Sequence, residues 1–594
     1  MKKFSYIQSN IKRIAVVAMM LSAAACSKML DSEDDGRTEY SVIFSNRNKI
    51  TTFYTSCLST LVAPNLTSVS FCDEGVNASL YKDNNIIRWY SGLITTSEHG
   101  INPWGGDPWG SAYSLIRKSN IFLAHIDNET SQMNIDQRNG MKAEVLAYRG
   151  YYFWQLAKRF GGVPVFTEPL LPSHDFSQNV RPTFGDVVRR VIADCEEALK
   201  GPDTPIGFPW EWSQRTEGHI NPATCHAIMS EAVTYAVSPL WYDGNISREY
   251  ATEITGRALY ECLSHGYELF ETENLSIAQN AYALYFLTME GWNGGDRETI
   301  FRVGGQLRVW ADNGLPSTAQ QSSAGSCPSQ NIVDCYEMKT TGLPPVLGYT
   351  DREKTIPSIN YASGYDLDHP YAGRDPRFDA SIYYNGAVRF LNAPAGQKVE
   401  TFEGGMEGIR NNDNRYSPTG YYLRKYNHWD SRQGSSMDGA MRMFRLAELY
   451  LNFAETANRS HGPDVPVSIN PGFSISARDA VNAIRRRAGM PDFPAGMTAD
   501  EFETKYRNER TVELAFEGHR GFDVRRWKIL NETDGHITGM KITGGGGTPI
   551  YERFAFEERK CNTDKYLIFP INLTEVRKIL LQTGNNWQNQ GWDY

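Results

Sequence analysis

The segment AEVLAYRGYYFWQLAKRFGGVPV, residues 143–165, sets a pattern that recurs along the chain. Leu146, Gly150, Trp154 and Ala157 repeat at helical spacing, and Ala143, Ala147 and Tyr151 line an adjacent stripe. So wide a stripe of small and aromatic side chains predicts a helix packed closely on its neighbours. Lys158 and Arg159 suit the negative end of its dipole, Gly161 and Gly162 end it, and Pro164 prevents continuation. Amphipathic spacing predicts further helices over 183–200, 247–266 and 441–459. Asn221 followed by Pro222 opens another, running to about Ser238, as an N-cap with proline at the first helical position. Ser476 with Asp479 and Thr498 with Glu501 have capping-box spacing, and Gly489 and Pro491 close the first of these two helices.

Between about 270 and 440 helical periodicity is lost, and Gly, Asn, Asp, Ser and Pro become frequent. LPSTAQQSSAGSCPSQN, 315–331, reads as loop. Asn385-Gly386 between apolar runs predicts a hairpin turn. The four-glycine run at 544–547 lacks the Lys-Ser/Thr of a phosphate loop and reads as flexible loop. YLIFPINLTEVRK, near the C-terminus, reads as an extended segment and a turn. Together these patterns predict a mainly α fold: tetratricopeptide-like helical hairpins, without a strict ~34-residue period, carrying a loop-rich insertion and a few short strands. Loops on a rigid helical frame are where binding sites commonly lie.

The N-terminus carries an address. Lys2, Lys3, Lys12 and Arg13 precede an uncharged apolar run from Ile14 to Ala25. That run is shorter than the ~20 apolar residues needed to span a bilayer, and it fits the apolar core of a secretory signal. It ends on Ala23, Ala24, Ala25 and Cys26, so Leu21–Cys26 resembles a bacterial lipobox, although Ala23 stands where Leu is usual. In that reading Cys26 takes a lipid, and several acyl chains together hold a protein stably to a membrane. Ser27, rather than Asp, after the cysteine argues against inner-membrane retention in a Gram-negative cell. Asp31, Glu33, Asp34 and Asp35 make a polar tether that buries no core and resembles the surface-export signal of Bacteroidetes lipoproteins. The predicted organisation is a signal over 1–25, a tether over 26–40, an N-terminal helical region over 41–270 and a C-terminal region over 271–594. The last holds the loop-rich insertion to about 440.

Charge and cysteine usage narrow the function. Residues 1–25 hold four positive charges and no acid, so their removal makes the net charge of −9 four more negative. Such a chain has no general attraction to nucleic acid, whose binding rests on phosphate neutralisation. Cys57, Cys72, Cys195, Cys225, Cys262, Cys327, Cys335 and Cys561 are scattered without a CxxC, which suggests neither a zinc site nor a disulfide framework. Cys327 and Cys335 are spaced to bridge a loop, or sit as small buried hydrophobes like the rest. No HExxH, GxSxG, Walker loop or GxGxxG is present, and no two histidines have helical metal-ligand spacing. No catalytic residue and no metal ligand is assigned, and nothing positive argues for an enzyme.

Aromatic residues in loop contexts are plentiful. INPWGGDPWG carries Trp104, Asp107 and Trp109, GWNGGD carries Trp292, and Trp310 stands just before the 315–331 loop. Trp89 and Tyr90 follow Arg88. A flat indole matches the C–H face of a sugar ring, while Arg, Asn and Asp hydrogen-bond its hydroxyls; the alternative is that the rings pack beneath the loops.

Eight segments, in order, resemble the SusD/RagB lipoproteins. They begin with EVLAYRGYYFWQLAKRFGGVPV and continue through NPATCHAIMSEAVTYA, PSQNIVDCYEM and GRDPRFDASIYYNG. RLAELYLNFAETAN, AVNAIRRRAGMP, ERTVELAFEGHRGFDVRRW and YLIFPINLTEV with NQGW complete the series. The resemblance implies a surface-exposed outer-membrane lipoprotein that binds nutrient oligosaccharides as the lid of a SusC-like TonB-dependent transporter. It also implies ligand contacts in an aromatic arc with an arginine and a polar residue nearby. Arg88, Trp104 and Asp107 could fall in such places, with Trp109 in the same loop, and Trp292 and Trp310 could fall in comparable ones. Some relatives hold a calcium ion, so a structural calcium is compatible with the family, and no other cofactor is implied. Peptide cargo, as in the RagB branch, is one alternative. A surface glycoside hydrolase, needing two carboxyls about 5–9.5 Å apart, is another, and a structural subunit that closes the transporter is a third. Glu513, Glu517, Arg520, Asp523 and Arg526 read as buried ion pairs rather than ligand contacts.

Overall fold

A computed structural model describes residues 39–61, 66–78, 88–89, 91–97, 107–171, 173–200, 208–210, 218–273, 280–287, 295–303, 315–316, 323–388, 397–410, 412–427, 441–545 and 547–592. Cys26, Tyr90, Trp104, Trp292 and Trp310 lie outside these residues. The chain divides into two units, residues up to Phe53 with 128–133, and the remainder. In the first, a short helix Tyr40–Phe44 sets Phe44 edge-on to Phe53, and Thr130 N–H donates to the Phe44 carbonyl at 3.1 Å.

The second unit is built on helices whose ends follow local chemistry. Helix α1 (Pro108–Ile126) is capped by Asp107, and α2 (Ile135–Phe160) by Asn134, with Gly161 at φ +78° turning the chain away. Thr183 and Asp186 form the capping box of α3 (Phe184–Leu199). Asn221 caps α4 (Pro222–Ala236) and Ser247 caps α5 (Arg248–Ser264). After the insertion come α6 (Leu446–His461), α7 (Ala477–Ala488) and α8 (Ala499–Glu513), then α9 (Arg520–Arg526) and α10 (Leu573–Thr583). Each of α1 to α5 packs on the next, α5 packs on α6, and α6 packs on α7 and α8. This is the predicted stack of helical hairpins. Every residue of α4 is buried, so it forms the centre of the stack. Gly150 shows why the stripe on α2 is small: a Cβ there would stand 3.3 Å from Cys195 Sγ and from the Val191 carbonyl of α3.

Among the described residues twelve short strands pair into six two-stranded sheets: β1 (Gly75–Asn77) with β3 (Ser326–Pro328), β2 (Thr299–Val303) with β8 (Met441–Arg445), β4 (Val346–Tyr349) with β5 (Pro357–Ile359), β6 (Ile382–Tyr383) with β7 (Tyr422–Leu423), β9 (Val467–Asn470) with β10 (Phe473–Ile475), and the last two with each other. The longest is the antiparallel hairpin of β11 (His536–Thr543) and β12 (Ile550–Glu558). Three sequence readings are corrected. Gly544, Gly545 and Gly547 lie in the turn of this hairpin, with Gly547 N–H donating to the Gly544 carbonyl at 2.9 Å. Asn385-Gly386 does make a turn, with Ala387 N–H to the Tyr384 carbonyl at 3.1 Å, but Ile382–Tyr383 before it pairs with Tyr422–Leu423 rather than with the strand beyond the turn. The C-terminal turn is the helix α10, capped by Asn572. All eight described cysteines are free thiols, so Cys327 and Cys335 do not bridge.

Around the C-terminal helices lies a buried ionic network. Arg445 donates to Glu298 (2.7 Å), Glu513 (2.7 Å) and Glu517 (2.8 Å). Glu513 and Glu509 also hold Arg377, and Lys425 Nζ reaches Glu517 at 2.8 Å. Burial alone would push the Glu517 carboxyl up, but Arg445 and Lys425 outweigh it and hold it at about 2. Arg526 pairs with Glu455 and Asp523, and Arg520 with Asp73. The five residues read from the sequence as structural ion pairs are therefore that.

Glu74 is the opposite case. It is buried, accepts Phe516 N–H at 2.8 Å, and burial pushes its carboxyl up to about 7. Between its ordinary 4.5 and this value the folded chain keeps a proton that the unfolded chain has lost. Stability therefore falls as pH rises through this window and levels above it, by roughly 2–4 kcal/mol. Glu74→Gln keeps the acceptor for Phe516. Urea midpoints from pH 5 to 8 are expected to lose this slope in the variant; parallel curves for the two proteins contradict the assignment.

Candidate functional site

One cleft of about 340 Å³ lies where the 409–418 loop meets β12. Its loop is shaped locally. Asn412 takes φ +62°, and Asp413 accepts the N–H of Arg415 and grips its guanidinium at 2.7 and 3.0 Å. Those bonds hold the half-buried Asp413 carboxyl below the usual range. Ala324 N–H donates to the Asn414 carbonyl at 2.9 Å, which fastens the loop to the chain entering the Ser326–Pro328 strand. Tyr422 beneath accepts Ser417 N–H (3.0 Å) and donates to the Glu407 carbonyl (2.9 Å). Gly420 lies so close to β11 that a Cβ would stand 2.3 Å from the Met540 carbonyl, and its φ of +84° suits glycine.

This frame presents Tyr416, Phe554 and Phe556, all half-buried, to the cleft. The Arg410 guanidinium stands 4.1 Å above the Tyr416 ring, and Asn412 and Asn414 add amides to the lining. Phe554 and Phe556 both reach the cleft from β12, where a bulge leaves Phe556 between the pairs Ile537–Glu557 and Thr538–Ala555. Ala78 closes one edge and leads directly into residues 79–87, outside those described. The arrangement suits a neutral polyhydroxylated ligand: aromatic faces for C–H surface, and amides and guanidinium for hydroxyls. Asp413, already engaged by Arg415, is the one carboxylate among the described lining residues, so these residues do not assemble the pair that glycoside hydrolysis uses.

A second cavity, of about 440 Å³, lies between α1, the 164–179 segment and α10. Trp109, Tyr113, Phe166 and Trp587 line it, with Trp109 in T-shaped contact with Phe160 at 5.3 Å. Tyr113 donates to the Pro164 carbonyl at 2.8 Å.

The described candidates from the sequence do not converge. Trp109 is 7% exposed and floors the second cavity. Asp107 accepts the N–H groups of Trp109 (3.1 Å) and Gly110 (3.0 Å) as the cap of α1, a local structural duty. Arg88 donates to the Leu93 carbonyl of its own loop at 3.0 Å. Trp89 beside it is core: it stacks on Phe569 and Trp592 with centroids 5.4 and 6.3 Å away. Sequence reading missed Arg410, Tyr416, Phe554 and Phe556. The signal for the loop pair was present in NNDNRYSP, an asparagine-rich turn with one ring; the β12 pair needed the hairpin.

Comparison with known proteins places the chain. The model of the SusD family matches residues 292–592, and one described as "Starch-binding associating with outer membrane" matches 28–201. A SusD-like protein of Formosa agariphila is 23% identical over 435 residues, 71% of this chain and 70% of that protein. A solved SusD-like protein of Bacteroides fragilis superposes with a TM-score of 0.73 at 22% identity, covering 94% of this chain and 98% of that one. A solved SusD-like carbohydrate binding protein of the same species gives 0.62 at 19% identity, covering 90% and 99%. A laminarin binding SusD-like protein gives 0.53 at 19% identity, covering 92% and 100%.

Proposed function

This chain belongs to the SusD family, and from that premise we propose that it captures nutrient oligosaccharides at the outer membrane and passes them to a SusC-like TonB-dependent transporter. Cys26 carries the lipid that holds it there, and the acidic segment after it is the tether to the cell surface. The observation that carries the reading is the Tyr416 cleft, in which three half-buried rings meet a guanidinium and amides in the loop-rich half. The names of solved relatives that bind laminarin or carbohydrate support the ligand class. The match of an outer-membrane-associated family from residue 28, just after Cys26, supports the location. Arg88, Trp104, Trp292 and Trp310 remain proposed ligand contacts. Binding by stacking and a few hydrogen bonds is modest in strength, which release into a channel requires.

Isothermal titration of the mature chain against α- and β-linked glucan, mannan and galactan oligosaccharides tests this. One class is expected to bind, and Tyr416→Ala is expected to weaken it about tenfold, some 1.4 kcal/mol. Failure of every glycan alongside binding of a peptide overturns the ligand class. A Tyr416→Ala variant with unchanged affinity overturns the cleft. Labelled palmitate incorporated into the wild type and absent from Cys26→Ala tests the anchor.

A further inference from the structure

Away from both clefts, Glu231 of α4, Glu448 of α6 and His519, which opens α9, point donor atoms at one another. One carboxylate oxygen from each glutamate and one imidazole nitrogen all lie within 4.8 Å of each other. The glutamates are 2% and 1% exposed. Glu231 is partly engaged: one oxygen accepts Trp154 Nε1 at 2.5 Å and the other lies 3.4 Å from Lys158 Nζ. Glu448 is not: both of its carboxylate oxygens are buried with no hydrogen-bond partner among the described residues. An unpartnered buried carboxylate is costly unless something fills its lone pairs. Beside the three donors is a cavity of about 50 Å³, lined by Glu231, His519, Lys158 and Phe522 and large enough for water.

We infer that Glu231, Glu448 and His519 form a binding site for one divalent transition-metal ion of the zinc class, with water from the adjoining cavity as a fourth ligand. Two carboxylates and an imidazole suit zinc or manganese, whereas calcium and magnesium take oxygen alone. Donors around a tetrahedral ion with bonds of ~2.1 Å stand ~3.4 Å apart. A pair at the 4.8 Å limit must therefore close by about 1.4 Å, which glutamate rotations supply. Arg510 and Lys158 are the competing cations nearby, and Lys158 is the one in contact with Glu231. It already lies 4.9 Å from the Phe522 ring centroid, and metal entry leaves it there without its contact to Glu231. The ion ties α4, α6 and the start of α9 together, segments distant in sequence, and acts as a lock on the helical frame.

The test is titration of the chelator-treated, full mature chain with zinc and with manganese by calorimetry, checked by elemental analysis. One equivalent is expected, with a raised melting temperature. Glu448→Gln, nearly isosteric, is expected to weaken binding by roughly 100-fold or more and abolish the thermal shift. His519→Ala is expected to do likewise, and glycan binding by both variants reports that they are folded. Diffraction at the zinc edge is expected to place the ion among the three side chains. No saturable binding overturns the inference, as does unchanged binding in Glu448→Gln or a diffraction peak elsewhere. So does a water that alone bridges Glu448.

Discussion

An Arg445→Ala variant is expected to lose about 3–5 kcal/mol of folding stability. Arg445 is 2% exposed and faces three carboxylates, from Glu298, Glu513 and Glu517. Arg377, Arg487 and Lys425 also contact this set, but none of them donates to both Glu513 and Glu517 as Arg445 does. Removing it leaves buried negative charge without its central counter-charge. Arg445→Met, which restores volume but not charge, is expected to lose nearly as much. Arg445→Met with Glu517→Gln is expected to recover part of the loss, because the second change removes an uncompensated charge. Urea unfolding of the four proteins at pH 7 measures this. If Arg445→Met matches the wild type, packing rather than charge is what Arg445 supplies. The network also sets an acid limit. Glu513 and Glu517 are held below their ordinary range, so their contribution is full above about pH 4.5 and is lost as pH falls towards 2.

The second large effect is Trp89→Ala, expected to cost about 3–5 kcal/mol. Trp89 is fully buried, stacked on Phe569 and Trp592 and edge-on to Tyr566 and Phe71. The ring joins the early part of the chain to its last residues. Brief proteolysis of the variant is therefore expected to trim the C-terminus first, where the wild type resists. A loss below 1 kcal/mol with an uncut C-terminus would falsify this role.

Much of the helical frame was legible because its signals are local. Asn221, Ser476 and Thr498 cap the helices that their spacing assigns to them. Asp107-Pro108 carries the same signature as Asn221-Pro222, and reading it that way would have assigned Asp107 to the cap of α1. Helix α10 went unread although Val576 and Ile579 stand at helical spacing, because its short run follows directly on the extended YLIFPIN segment. The site was less legible than the frame. Tyr416 and Phe554 come from a loop and a strand far apart in the chain, and only the folded backbone sets them side by side. The same holds for Glu231, Glu448 and His519, whose spacing matches no metal motif. The rings near Arg88 show the converse, since a loop-like context concealed a core tryptophan.

The clamp of Trp89 against Trp592 has a consequence for how the molecule is made. Asp73 meets Arg520 across 447 positions, and Arg181 meets Asn589 across 408. At ~5–20 residues per second, synthesis leaves the early segments waiting tens of seconds for partners that the ribosome has yet to deliver. Closure of this part of the core must be post-translational. Until then the nascent polypeptide carries Trp89 and Asp73 without the late-made partners that cover them.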